Sequence, residues 1–350
     1  MKSLYVMGAA GSGKTAASVG IALKAREEGL RVSYLKPVGG APGPAGRMDE
    51  DAVLMRHLLG VPAAVEEMVP YSGGPHYLSR YEPGEDHLGR VRKAFERVGH
   101  GADAVIVGGA PFPEAMGTLG LDAVSVASAL GSSLLLLSRV ESDRSVDSAV
   151  AYWRWARSAG VDVVGVILNN VPRPLLDKAD GVYRPYLEAA GCPVVGIIPR
   201  RAEIAAPTVR EFHEVLGGEV LAGEEGMDLL VEEVLVGAMT TETALHYFRR
   251  ALNKAVITGG DRTEIALAAL ETSTSVLILT GGLYPSVNVV ARAAEKGVPV
   301  LLVHHDTYTA IEMLHGVSRR LKPEDAAGIA LARENVERYC EWKAIRRALA

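Results

Sequence analysis

The chain has 350 residues, of which 48% are apolar and 23% charged, and its net charge is −5. That length and apolar content suit two domains with full cores, while the acidic balance and dispersed basic residues argue against a nucleic-acid or anionic-membrane surface. No apolar run is long enough to span a bilayer. Two distant cysteines, Cys192 and Cys340, give neither a disulfide framework nor a zinc set. With a strand starting at once in place of a signal peptide, this predicts a cytoplasmic protein.

Short apolar runs predict strands at Leu4–Met7, Val32–Lys36, Ala104–Val107, Leu134–Leu137, Val163–Leu168 and Val194–Ile198. Amphipathic stretches between them predict helices at Lys14–Glu28, Glu50–Leu59, Asp147–Ala159 and Tyr183–Ala190. Strands apolar on both faces and separated by helices belong to a parallel sheet covered on both sides. The fold class expected is α/β: a doubly wound parallel sheet of the P-loop NTPase type, followed by a smaller α/β domain. Gly217-Gly218-Glu219 reads as the linker, so domains are expected at residues 1–216 and 217–350. Beyond it, strands are expected at Val231–Val236, Ala255–Thr258, Val276–Leu279 and Val300–Val303. Helices are expected at Thr241–Arg250, Thr263–Leu270, Val287–Glu295 and Thr307–Arg319, with a helical tail from Pro323 to Ala350.

The first strand runs into Gly8-Ala9-Ala10-Gly11-Ser12-Gly13-Lys14-Thr15, which fits G-x-x-x-x-G-K-[ST] in full. Gly11, Ser12 and Gly13 let backbone N–H groups turn inward around phosphate, and the following helix adds its positive end. Lys14 then reaches the outer phosphates, and Thr15 places a hydroxyl on Mg²⁺. ATP and Mg²⁺ are the cofactors expected. Lys36 ends the second strand as a second cation, and Asp49-Glu50-Asp51 opens a helix. Asp49 and Asp51 are either helix-capping acids or, with Thr15, metal-side ligands.

These motifs, with Val166-Ile167-Leu168-Asn169 and Gly196-Ile197-Ile198-Pro199, resemble the dethiobiotin synthetases and the related N-terminal domain of long phosphotransacetylases. The resemblance covers residues 1 to about 215. It implies that Lys36, with Lys14, serves carboxylation and ring closure, which makes Lys36 the candidate catalytic residue. It also implies that Asn169 reads adenine. The loop departs from the synthetase pattern by being of the plain Walker type. At the third core strand, Gly108 stands where the synthetases carry a metal-binding glutamate, and Glu114 in the loop beyond is the candidate replacement.

In the second domain Ile257-Thr258-Gly259-Gly260-Asp261-Arg262-Thr263, Leu279-Thr280-Gly281-Gly282 and His304-His305-Asp306-Thr307-Tyr308-Thr309 resemble the DRTGG domain, over roughly residues 220 to 335. Its two Thr-Gly-Gly turns are expected to cluster free N–H groups at one sheet edge, where a small-molecule effector could dock. The alternative is an Asp261–Arg262 ion pair that caps a helix or holds a subunit interface. Together the resemblances imply an ATP- and magnesium-binding regulatory or sensor protein, dimeric, at most a slow ATPase and without phosphotransacetylase activity. The alternative is an ATP-dependent carboxylate-activating ligase or small-molecule kinase of the dethiobiotin synthetase type.

Overall fold

Parallel strands buried on both faces need helices on both sides, and the first two hundred residues supply them in alternation. The computed structural model describes residues 1–40, 48–82, 84–314, 317 and 319–350. It divides into one unit of residues 1–200 with 321–350 and another of residues 201–320.

The first unit begins β1 (Lys2–Met7), α1 (Lys14–Glu27), β2 (Val32–Leu35), β3 (Val38–Gly39), α2 (Glu50–Leu59), α3 (Val65–Met68), β4 (Tyr71–Ser72) and α4 (His87–Gly99). It continues β5 (Ala104–Gly108), α5 (Ala123–Leu130), β6 (Ser133–Arg139), α6 (Asp143–Ser158), β7 (Val163–Val171), α7 (Leu176–Lys178), α8 (Arg184–Ala189) and β8 (Val194–Pro199). Among the described residues, six strands form a parallel sheet in the order β2-β5-β1-β6-β7-β8. The chain goes one way from β1 to β2 and the other way to β6. The end of β1 is therefore a topological switch point, where such sheets bind ligands. Leu4, Val6, Ile106, Leu135 and Ile167 form its fully buried centre.

Sequence periodicity did not announce α4 and α5. In α4 only His87, Val91, Val98 and Gly99 are buried among charged neighbours, and α5 is a short run of Ala, Val and Ser.

The second unit holds α9 (Ala202–Ala205), α10 (Val209–Leu216), β9 (Glu219–Ala222), β10 (Glu233–Val236), α11 (Thr241–Phe248), β11 (Lys254–Gly259) and α12 (Thr263–Leu270). Then come β12 (Thr274–Thr280), α13 (Val287–Lys296), β13 (Val300–Leu302) and α14 (Thr307–Leu314). Its sheet runs β10-β11-β12-β13-β9, parallel except for the antiparallel edge strand β9. One core cluster on its strands includes residues of α11, α12 and α13, and a second includes residues of α10 and α14. Of the predicted helix Thr307–Arg319, residues 315, 316 and 318 lie outside the described residues.

Two expectations about boundaries are corrected. Gly217 and Gly218, read as a linker, are a turn inside the second unit: with φ of 64° and 91° they lead from α10 into β9. The closing segment, assigned by sequence to the second domain, instead returns to the first unit as α15 (Ala326–Tyr339) and α16 (Trp342–Arg347). It packs along α1, with Trp342 Nε1 and Arg346 Nε both donating to Glu28, at 2.6 and 2.5 Å. The approach is close because Gly20 of α1 lacks a side chain: a Cβ there would lie 2.9 Å from the carbonyl carbon of Ala332. Glu341 N also donates to Val195 O at 2.8 Å, tying the segment to β8. An amphipathic tail shows its apolar face in sequence, but not which unit that face will cover.

Candidate nucleotide-binding site

Residues 8–13 turn tightly between β1 and α1. Gly11 and Gly13 have φ of 70° and 88°, a conformation that L side chains rarely adopt. At Gly13 space is a second reason for glycine, because a Cβ would run into the amide of Asn169. Ser12 N donates to Ala9 O, and the N–H groups of Gly11, Gly13, Lys14 and Thr15 donate to no other described residue. The buried Ser12 Oγ also has no partner among the described residues. A concave loop with unspent donors at a helix N-terminus fits a polyphosphate. Lys14 Nζ donates to Gly8 O at 2.9 Å and Ala9 O at 2.8 Å, so its charge sits within the loop's own rim. Burial and the nearby Lys36 bring its pKa down to about 8.

Thr15, Lys36, Asp49 and Asp51 come together. Thr15 Oγ1 donates to Asp51 Oδ1 at 2.8 Å, and Lys36 Nζ donates to Asp51 Oδ2. Lys36 also lies 3.2 Å from Asp49 Oδ2, with its side chain 9% exposed. Burial alone would push the Lys36 ammonium down, but the two carboxylates outweigh it and raise its pKa. Burial likewise works against an ionised Asp51, and Lys36 and Thr15 together hold its carboxyl below the ordinary value.

The two acids differ in what they touch. Asp49 caps α2 by accepting from Ala52 N at 3.1 Å and accepts from Gly40 N at 3.2 Å, which ties it to the helix start and the backbone before it. Asp51 sits directly on the Thr15 hydroxyl. A magnesium ion would be held by Thr15, whose oxygen keeps lone pairs while donating to Asp51, with Asp51 as the carboxylate beside it.

Asn169 lies near the end of β7, which runs three residues past the predicted end. Its Nδ2 donates to Ser12 O at 2.7 Å. A carbonyl only accepts, so this contact fixes which end of the amide faces the loop. Asn169 thus braces the P-loop, and its Oδ1 has no partner among the described residues.

Two side chains in the site escaped the sequence reading. Arg139, at the end of β6, brings Nη1 to 3.1 Å from where a Cβ on Gly11 would sit, so its guanidinium lies over the loop. Tyr34 fills the space beside Gly108, with its ring Cζ only 2.7 Å from where a Cβ on Gly108 would be. Both lie on strands whose neighbours in space cannot be read from a single chain. Glu114, the candidate replacement carboxylate, is exposed in the loop after β5, and its charge acts on Tyr152 of α6. Beside Ala9 and Ala10 a cleft of about 230 Å³ opens, walled by Arg139, Ser142, Arg144 and Tyr152.

Residues 2–208, more than half of the chain, match the AAA domain family. The chain belongs to that family. Residues 211–317 match the DRTGG domain, so a P-loop domain of the dethiobiotin-synthetase-like kind is joined to a DRTGG domain, as the resemblances implied. A phosphate acetyltransferase of Nitratidesulfovibrio vulgaris is 23% identical over 94% of this chain and 49% of its own length. Another, of Pseudomonas putida, is 25% identical over 90% of this chain and 47% of its own. The chain thus spans about half the length of these curated relatives. The septum site-determining protein MinD of Pyrococcus horikoshii, solved with Mg-ADP, is 17% identical with a TM-score of 0.38, covering 58% of this chain and 83% of that one.

In the DRTGG domain the expected cluster of free N–H groups is not what forms. Gly281 N donates to His305 O at 2.9 Å, Gly282 N to Val303 O at 3.0 Å and Gly260 N to Thr280 O at 3.4 Å. The turns instead interlock: the Leu283 backbone passes so close to Gly260 that a Cβ there would meet its carbonyl carbon at 2.7 Å. The expected Asp261–Arg262 pair is also replaced, since Arg262 Nη2 donates to Met239 O at 3.1 Å. Both Thr-Gly-Gly turns therefore serve to close adjacent strand ends against each other. Their threonines do the same, with Thr258 Oγ1 donating to Gly237 O and Thr280 Oγ1 2.9 Å from Thr307 Oγ1.

Proposed function

We propose that this protein binds ATP with magnesium as a regulatory or sensor protein, with turnover slow or absent. The observation that carries the reading is the connected chain Thr15–Asp51–Lys36 at the open end of α1, next to unspent P-loop donors. Such a chain prepares the metal-side hydroxyl and keeps a cation beside the phosphates without any rearrangement. Slow turnover follows from what surrounds it. Position 108 offers no carboxylate, and the Lys36 charge is neutralised by two acids rather than directed at a developing negative charge. In this reading Asn169 Oδ1 accepts from the 6-amino group of adenine, where guanine presents a carbonyl, and so favours adenine. We place the protein in a reducing cytoplasm, where the unpaired Cys192 and Cys340 would stay as thiols. A two-fold dimer is the assembly we expect, because closed two-fold pairing is the commonest for soluble proteins; a 37 kDa particle in light scattering would count against it.

The cleft beside Ala9 and Ala10 favours a second reading, an ATP-dependent ligase or small-molecule kinase. Arg139 and Arg144 on its wall could hold an anionic acceptor next to the phosphates. Steady-state hydrolysis separates the two. A sensor hydrolyses ATP slowly whatever small carboxylates are added, whereas an enzyme accelerates sharply with one of them.

A further inference from the structure

We propose that the Tyr34 hydroxyl stands where a strand-end carboxylate would otherwise be, and that it reads the terminal phosphate of the bound nucleoside triphosphate. This rests on the nucleotide-binding reading above. β2 pairs with β5 so that Tyr34 lies opposite Ile106. Side chains alternate along strands, so Tyr34, Lys36 and position 108 share one side of the sheet. Position 108 has no side chain, and the Tyr34 ring occupies the room one would need, with Cζ and Cε2 at 2.7 and 3.1 Å from the Cβ position.

The ring is 2% exposed, yet its hydroxyl donates to no described residue, and it is not among the fully enclosed polar atoms without a partner. The Asp51 and Asp49 carboxylates act on it, which puts it on the side of the Thr15–Asp51–Lys36 chain, where the metal and terminal phosphate would lie. Gly108 lies beside Val6 at the entrance of the P-loop, and Gly109 N donates to Val6 O. Burial first, then the Asp51 and Asp49 carboxylates, hold the phenol well above its ordinary pKa, so it remains a donor. Asn169, on β7, is across the sheet from it.

The chemistry differs from that of a glutamate in a specific way. A glutamate there would ligate the metal and repel phosphate oxygens. A neutral phenol ligates metal poorly but donates a charge-assisted hydrogen bond to a phosphate oxygen. The pair Tyr34 and Gly108 therefore exchanges a metal ligand for a phosphate donor, and preference for ATP over ADP should depend on Tyr34.

Tyr34→Phe keeps the ring and removes the donor. Titrating the full chain with ATP and with ADP, each with magnesium, should show ATP binding weakened about tenfold and ADP binding changed by less than about twofold. The unliganded variant should melt within a few degrees of the parent. An unchanged ATP-to-ADP ratio in the folded variant, or equal weakening of both, overturns the proposal. A folded parent chain that binds neither nucleotide removes the nucleotide-binding reading and this proposal with it. The steric exchange has its own test. Gly108→Glu alone should melt well below the parent, and adding Tyr34→Ala should raise its midpoint despite the lost ring. Gly108→Glu melting with the parent would show that Tyr34 does not fill that place.

Discussion

Replacing Asp51 with Asn preserves shape and one acceptor for Thr15 while removing the charge that faces Lys36. In the parent, Asp51 takes a 2.8 Å hydrogen bond from Thr15 and a direct contact from a lysine whose side chain is 9% exposed. Stripping a buried charge of its only partner costs about 3–5 kcal/mol. Lys36 keeps Asp49 at 3.2 Å, so we expect a smaller loss, about 2 kcal/mol. For a unit of this size that corresponds to roughly 4–8 °C in the thermal midpoint. Lys36→Met should cost more, because two neighbouring carboxylates then lack a cation, and Lys36→Met with Asp51→Asn should recover part of that loss. Circular dichroism melts of the four proteins, followed in parallel with magnesium-dependent ATP titrations, give the complete cycle. If Asp51→Asn changes the midpoint by under a degree, and the double substitution is simply additive, the buried network does not do what we ascribe to it.

Nucleotide affinity should be pH-dependent through Lys14: its pKa of about 8 in the free protein must rise once phosphate is alongside. The affinity is then complete below pH 8 and falls by up to about tenfold per pH unit above it; a flat titration between pH 7 and 9.5 would contradict this. Asn169→Ala should both narrow the preference for ATP over GTP in competition binding and weaken ATP itself, since the Ser12 carbonyl loses its brace. A change in preference with no change in ATP affinity would mean the brace is idle. Removing residues 321–350 should destabilise the P-loop domain and abolish ATP binding, because α1 loses the cover of α15 and α16. A truncated chain that melts and binds like the parent would show the cover to be dispensable.

Much of this was legible in sequence where local rules decide. The P-loop, α2 with its Asp49 cap, and the strand ends carrying Lys36 and Asn169 follow from turn chemistry, capping and apolar runs. What one chain could not show is which strands become neighbours. The order β2-β5-β1 places Tyr34 against Gly108, where its ring takes the room a longer side chain would need. The family resemblance alone suggested that Asn169 contacts the base, and its hydrogen bond to Ser12, from β7 across β6 to the loop after β1, could not be read from one chain. The Thr-Gly-Gly turns read as anion cradles because glycine frees N–H groups. Gly260 N is spent on Thr280 O of the other turn, and Gly281 N and Gly282 N on His305 O and Val303 O in the segment after β13. The return of the tail to α1 was likewise hidden, as Glu28, Trp342 and Arg346 are brought together only by the fold.

The most direct measurement is calorimetric titration of Mg-ATP into the parent chain and into Lys14→Ala, with hydrolysis followed in the same samples. We expect saturable binding by the parent, at least tenfold weaker binding by the folded variant, about 1.4 kcal/mol, and hydrolysis far below one turnover per second in both. Equal affinity in the two proteins would contradict the nucleotide site, and rapid hydrolysis by the parent, at tens of turnovers per second without an added partner, would contradict the sensor reading.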